Sequence, residues 1–96
     1  MEQEKKDSLE KTLNIVVDEI RDSYSVEIIK SREIIPMLNM KNMQECGFWV
    51  KLQLNSRFGY DDDQLEDWKD MLGATQYRIS IMNYTLYATF KVYFKE

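Results

Sequence analysis

Six carboxylates and one lysine lie within residues 61–70 of this 96-residue chain. The acidic side chains are Asp61, Asp62, Asp63, Glu66, Asp67 and Asp70. Carboxylates at this density could bind a metal ion, act as general acid and base, or present a negative field to a positively charged partner. They could also be the solvated side of an amphipathic helix, with no role in chemistry.

The spacing of these carboxylates does not match a calcium-binding loop. An EF-hand loop that began at Asp61 would need glycine at its sixth position and glutamate at its twelfth, but the chain has Glu66 and Leu72 there. Magnesium would need a substrate phosphate, and the chain has no glycine-rich loop to hold one. Carboxylates on one exposed helix face also lack the difference in environment that lets one act as acid and its neighbour as base. We therefore predict no metal, no cofactor and no catalytic residue.

The absence of histidine and the single cysteine exclude further chemistry. Without histidine the chain cannot build a Ser-His or Cys-His nucleophile pair, and Cys46 alone cannot complete a zinc site. One thiol forms no internal disulfide, and the charged N-terminal sequence has no apolar segment typical of a secretory signal. These features predict a non-enzymatic cytoplasmic protein with no membrane-spanning segment. The bias towards lysine, asparagine, isoleucine, tyrosine and methionine is consistent with an AT-rich genome, such as that of a phage or virus.

Ninety-six residues suit one domain, and hydrophobic periodicity divides them into helices and strands. Residues 1–6 have the composition of a flexible leader, and residues 7–96 would form the single domain. Apolar residues at helical spacing predict a helix over 7–22 that begins at Asp7 or Ser8. Alternating residues predict a strand over 23–30. Pro36, three methionines and Gly47 then predict a helix over 36–46, although residues 34–46 could alternatively be an extended edge.

The second half of the chain has clearer patterns. "FWVKLQLN", residues 48–55, alternates like a strand with one apolar side. Residues 63–72 form a predicted helix with Leu65, Trp68 and Leu72 on one side and carboxylates on the other, and Gly73 ends it. Two further strand patterns follow with a change of phase between them. They predict a hairpin that turns near residues 82–84, where Asn83 tolerates left-handed geometry.

The predicted order is helix, strand, helix, strand, helix, strand, strand. This order favours an α+β fold, a two-layer sandwich in which helices cover one face of a four-stranded sheet. The sheet would be mixed, because strands joined through a helix tend to run parallel whereas the last two strands form an antiparallel hairpin.

The chain's net negative charge is concentrated in residues 61–70. The whole chain has 17 acidic and 13 basic residues, a net charge of −4, whereas this segment has six acidic residues and one lysine. A concentrated field of one sign attracts a basic partner and speeds its approach. The segment therefore predicts a protein-binding module that engages a basic surface, such as a small acidic inhibitor of the immunity or phage counter-defence type.

Aromatic residues on the sheet face opposite the predicted core are the second candidate for binding. Trp49, Tyr87 and Tyr93 share that face with Lys51 and Lys91. They could add affinity for a protein partner, or they could stack on the bases of single-stranded nucleic acid. The net negative charge argues against nucleic acid as the partner. A homodimer formed edge to edge through the C-terminal strand is a further alternative.

Overall fold

The structure, a computed structural model, describes residues 2–24, 28–55 and 60–94. The elements follow one another in the order α1 (Glu2–Tyr24), β1 (Ile29–Asn39), β2 (Gln44–Leu54), α2 (Asp62–Leu72), β3 (Gln76–Met82) and β4 (Thr85–Tyr93). These strands form an antiparallel sheet in the order β1-β2-β4-β3, and both helices pack on one face of it. The predicted α+β sandwich is confirmed, but the predicted mixed sheet is wrong, as is the extra helix between the first two strands.

The predicted helix over residues 36–46 is instead a β-hairpin. Pro36 lies in β1, an edge strand, which is the position in a sheet that tolerates proline. In the turn, the side chain of Asn39 accepts a hydrogen bond from the N–H of Lys41 at 2.9 Å. The side chain of Asn42 accepts one from the N–H of Gln44 at 3.1 Å. Such local bonds favour a turn over a helix, and they outweigh the methionine spacing.

Two other predicted boundaries are wrong near the N-terminus. α1 continues to Tyr24 and β1 begins at Ile29, so the predicted strand over 23–30 is displaced, and its residues 25–27 lie outside the described chain. α1 also begins at Glu2, before the predicted start at Asp7, because the Glu, Gln and Lys of this segment are strong helix formers. Residues 2–6 of the predicted leader are therefore helical.

β2 and β3 run in the same direction although they are not neighbours. Both pair antiparallel with β4, which lies between them. The helical connection through α2 thus joins two strands of equal direction, as expected, but the chain then fills the gap with β4. β4 has a neighbour on each side, so it offers no free edge for the edge-to-edge homodimer that was one alternative for the C-terminal strand.

The core lies between the two helices and the central strands. Alternate residues of β2 and β4 face it, as the period-two pattern predicted. The buried residues of these elements are Leu13, Val17, Ile20, Phe48, Val50, Leu52, Leu54, Leu65, Trp68, Leu72, Leu86, Ala88, Phe90 and Val92. The other side chains of β2 and β4 are left on the outer face of the sheet, which neither described helix covers.

Arg32 joins β1 to α1 beside this core. Its guanidinium donates hydrogen bonds to the Asp18 carboxylate and to the backbone carbonyl of Asn14, the latter at 2.9 Å. The bond from Arg32 lowers the pKa of the Asp18 carboxyl below its usual value of 3.8. A lowered pKa means that the ionised pair stabilises the fold above the unfolded-state pKa, and that this stabilisation is lost as pH falls through the folded-state pKa.

We expect Asp18→Asn to lower the free energy of unfolding at neutral pH, and we expect this deficit to shrink below about pH 4. The deficit shrinks because the wild-type carboxyl becomes protonated first in the unfolded state and then, at lower pH, in the folded state. Urea unfolding of both proteins at about pH 7 and about pH 3 measures the change. Glu19→Gln, an exposed neighbour on the same helix, is the control and should match wild type at both values. A deficit that is independent of pH would contradict this assignment.

Gly47 permits the close approach of the central strands and does not end a helix. A Cβ atom at this position would overlap the carbonyl oxygen of Val92 and would lie 2.7 Å from the Cα atom of Tyr93. Both atoms belong to the backbone of β4, so the clash could be relieved only if β2 and β4 moved apart.

We expect Gly47→Ala to lower the free energy of unfolding by at least about 3 kcal/mol, because the overlap is with backbone. Gly73→Ala is the matched control, since Gly73 has a left-handed φ of 71° but nothing within 4 Å of an added Cβ. Its cost should be only about 1 kcal/mol, the strain of a left-handed alanine. Thermal or urea unfolding compares the two variants, and equal losses would show that close approach is not the role of Gly47.

The β3–β4 hairpin turns through Asn83 and Tyr84, which confirms the predicted turn. Met82 pairs with Thr85, and the two loop residues have φ values of 51° and 63°. Positive φ at both positions is typical of a type I′ turn, in which the second position favours glycine. Tyr84 is 98% exposed, so its side chain gains no packing that would offset the backbone strain.

We expect Tyr84→Gly to raise the free energy of unfolding by about 0.5–1 kcal/mol, because glycine adopts the left-handed conformation without strain. Tyr84→Ala retains the strain and should leave stability nearly unchanged. Chemical denaturation of the three proteins provides the comparison. If glycine and alanine had the same effect, the tyrosine backbone would not be strained in the native turn.

Candidate functional site

α2 forms where the sequence predicts it because both of its ends have suitable residues. Asp61 is the N-cap, and its carboxylate accepts a hydrogen bond from the N–H of Asp63 at 2.9 Å. Gly73 adopts the left-handed conformation past the last turn, and its N–H donates to the carbonyl of Asp70 at 3.1 Å. The helix between them presents one apolar side to the core and one acidic side to solvent.

We call the carboxylates of α2 and its cap the acidic surface: Asp61, Asp62, Asp63, Glu66, Asp67 and Asp70. All six are exposed, whereas Trp68 on the opposite side of the helix is 1% exposed. Within the part of the chain that the structure describes, Glu66 is the one member with an ion pair, to Lys69 at 2.9 Å. The structure therefore brings all six predicted residues together and leaves most of their charge unneutralised by described residues.

Two neighbouring groups respond to the acidic surface. The hydrogen bond to Glu66 raises the pKa of the Lys69 ammonium group above its usual 10.5, and the nearby Asp70 raises it further. Burial raises the pKa of the Tyr77 phenol above 10.0, and the charges of Asp62 and Glu66 add to this effect. The negative field of α2 therefore extends to the adjacent strand β3, where Tyr77 lies.

α1 adds to the negative charge that residues 61–70 carry, so both helices are acidic. α1 has seven acidic and four basic residues, and residues 61–70 have six acidic and one basic. These segments have net charges of −3 and −5, whereas the four strands together have five basic and two acidic residues, a net charge of +3. The two layers of the sandwich thus differ in the sign of their charge.

A groove of about 750 Å³ lies beside the acidic surface, between α1, the end of α2 and the end of β4. Leu9, Met71 and Phe94 contribute apolar surface to it, and Asp70 and Tyr93 also line it. Two residues predicted to bind a partner, one acidic and one aromatic, therefore meet in the same groove.

Trp49 and Tyr87 lie on the outer face of the sheet, away from both described helices. The ammonium group of Lys91 is 4.9 Å from the centroid of the Trp49 ring, and that of Lys51 is 4.5 Å from the centroid of the Tyr87 ring. These distances are typical of cation–π contacts. The acidic surface and these two aromatic residues consequently form separate surfaces and do not combine into one site.

Arg78 and the groove are features that the sequence analysis missed. Arg78 opposes Thr89 in the β3–β4 pairing and shares its face, so the alternation of β3 already contained this signal. The groove had no such signal, because it requires Leu9 near the start of the chain to approach Phe94 near its end. A local pattern cannot report that proximity.

Comparisons with known proteins add no functional information: no family model, no curated protein and no solved structure matches the chain. Among residues 2–24, 28–55 and 60–94, no three His, Cys, Asp or Glu residues are grouped so that they could hold a metal ion. In these same ranges no helix is long and apolar enough to cross a membrane. Function has to be inferred from the surfaces themselves.

Proposed function

We propose that this protein is a non-enzymatic binding module whose acidic surface engages a basic surface of another protein. The exposure of six carboxylates, with one ion pair among them in the described chain, is the observation that carries the proposal. Charges of one sign at this density accelerate and orient association with a partner of opposite charge. A cytoplasmic inhibitor of the immunity or phage counter-defence type, which covers the basic site of its target, fits this mode of action.

Repulsion among its own carboxylates destabilises the acidic surface, and this cost supports a role in binding. Asp63 and Asp67 are four positions apart on α2, and Asp67 and Asp70 are three apart, so like charges are neighbours on the helix. Each such pair costs a few tenths of a kcal/mol. N-capping and the helix dipole account for the carboxylates of the first turn, but they do not account for Asp67 and Asp70.

The groove supplies the apolar contacts that charge alone does not. Electrostatic complementarity contributes more to association rate and orientation than to affinity. Met71 is exposed and lines the groove next to Asp70, so apolar and acidic groups adjoin at this point. A partner segment with a basic side chain beside an apolar one could place its cation against Asp70 and its apolar group against Met71 and Leu9.

We expect Asp67→Asn/Asp70→Asn to raise the Kd for the basic partner about tenfold and to weaken its salt dependence. The two carboxylates have no ion pair within the described ranges, so their charge is available to a partner. Affinity purification from the source cells identifies the partner, and a salt titration of the purified complex then gives the Kd for each variant.

Glu19→Gln/Asp22→Asn is the matched control, because it removes the same charge from exposed positions of α1. It should retain the wild-type Kd within about twofold. Thermal unfolding should show Asp67→Asn/Asp70→Asn to be at least as stable as wild type, since repulsion within α2 is reduced. An unchanged Kd for a correctly folded Asp67→Asn/Asp70→Asn protein would remove the acidic surface as the binding site.

A further inference from the structure

We propose that the outer face of the sheet is a second binding site, which takes single-stranded nucleic acid. We call five of its side chains the sheet platform: Trp49, Lys51, Arg78, Tyr87 and Lys91. The platform lies on the opposite layer from the acidic surface, so this function is independent of the one proposed above.

Strand pairing places the cations of the platform side by side. Residues that oppose each other in antiparallel strands share a face. Trp49 opposes Lys91, while Lys51 opposes Thr89, which in turn opposes Arg78. Three cations from three adjacent strands therefore occupy neighbouring rows of the same face.

The platform has a positive net charge. Glu33, which opposes Lys51 from β1, is the carboxylate that strand pairing places beside these cations. Three cations against one carboxylate favour an anionic ligand. Protein–protein interfaces are depleted in lysine at their centres, whereas Lys51 and Lys91 lie on the two central strands. A polyanion therefore fits this face better than a second protein does.

The negative net charge of the chain does not oppose binding at the platform. The excess acidic residues lie on the helices, and the shortest dimension of the molecule is 20 Å. This thickness exceeds the Debye length of about 10 Å at 0.1 M salt, so the acidic surface is largely screened from a ligand on the outer face. The local cations Lys51, Arg78 and Lys91 then dominate the potential that the ligand meets.

The aromatic rings identify the class of polyanion. Trp49 and Tyr87 lie on adjacent strands, four residues apart in register, a distance of about 13 Å along the strands. Lys91 lies beside Trp49, and Lys51 lies between the levels of the two rings. Aromatic rings among cations on an open sheet bind single strands, because every base can stack on a ring while the cations contact the backbone phosphates.

In the free protein, lysine ammonium groups lie over the Tyr87 and Trp49 rings. The ammonium groups of Lys51 and Lys91 lie 4.5 and 4.9 Å from the ring centroids of Tyr87 and Trp49. A cation–π contact at an exposed site is weak, so a base can replace the ammonium group on the ring. The displaced ammonium group then remains within reach of the adjacent phosphate. Rings and cations are thus held together before binding, which lowers the entropic cost of ordering them.

Tryptophan fluorescence can report on the platform directly. Trp49 is half-buried on the outer face, whereas Trp68 is 1% exposed in the core, and the chain has no other tryptophan. Oligo-dT of about 15 nucleotides in about 0.1 M salt should quench the Trp49 emission with a Kd in the micromolar range. If three protein cations displace counterions from the strand, the slope of log K against log salt should be about −2.

Variants of the platform test which residues bind. We expect Lys51→Gln/Lys91→Gln to weaken oligo-dT binding at least about tenfold and to reduce the salt slope to about −0.7, whereas Lys51→Arg/Lys91→Arg should retain binding. Lys11→Gln/Lys41→Gln removes the same charge from exposed positions on α1 and the β1–β2 loop, and it should bind within about twofold of wild type. Trp49→Phe should lose the quench but retain binding measured by anisotropy.

Three results would overturn the proposal. The first is no binding of oligo-dT by wild type in about 0.1 M salt, and the second is equal loss in the Lys51/Lys91 and Lys11/Lys41 glutamine variants. The third is protection of Trp49 by a protein partner without any binding of oligo-dT, which would identify a protein interface. Asp67→Asn/Asp70→Asn should leave oligo-dT affinity within about twofold of wild type, so failure here and failure of the acidic surface can be told apart.

Discussion

The antiparallel pairing of β2 with β4 is the constraint on which the rest of the structure depends. The two strands pair continuously from Gly47 opposite Tyr93 to Leu54 opposite Leu86. Because side chains alternate along a strand, this register assigns each residue to the core or to the outer face, and a slip of one residue would exchange the two sets. The same pairing therefore builds the hydrophobic core and exposes the aromatic and cationic residues on the other side.

α2 shows how burial permits a surface that charge alone would disfavour. Leu65, Trp68 and Leu72 anchor the helix in the core, and each is at most 5% exposed. Burying side chains of this size contributes about 1.5–3 kcal/mol each, which exceeds the few tenths of a kcal/mol lost to each like-charge pair on the helix surface. The helix can therefore display carboxylates without losing its place in the fold. The sheet carries the opposite excess of charge, so the two layers are suited to ligands of opposite sign.

Prediction from the sequence succeeded where one local signal dominated and failed where a segment had two consistent interpretations. α2 has a cap at Asp61, a stop at Gly73 and a single apolar side, and nothing in its sequence favours a strand. Residues 36–46 are different, because Pro36 and Gly47 suit the two ends of a helix and also suit an edge strand and a close strand contact. The turn bonds of Asn39 and Asn42, together with the pairing of β1 with β2, decided between these alternatives.

The sequence by itself determined the class of fold, the limits of α2, the turn at Asn83 and the side of each central strand that is apolar. These features follow from capping, left-handed backbone and alternation, which act over a few residues. Only the tertiary structure decided that β4 lies between β2 and β3, that Asp70 and Tyr93 line one groove, and that the acidic surface and Trp49 lie on opposite layers. Strand order and groove shape depend on burial and hydrogen bonding between distant segments, and local patterns do not indicate which distant segments meet.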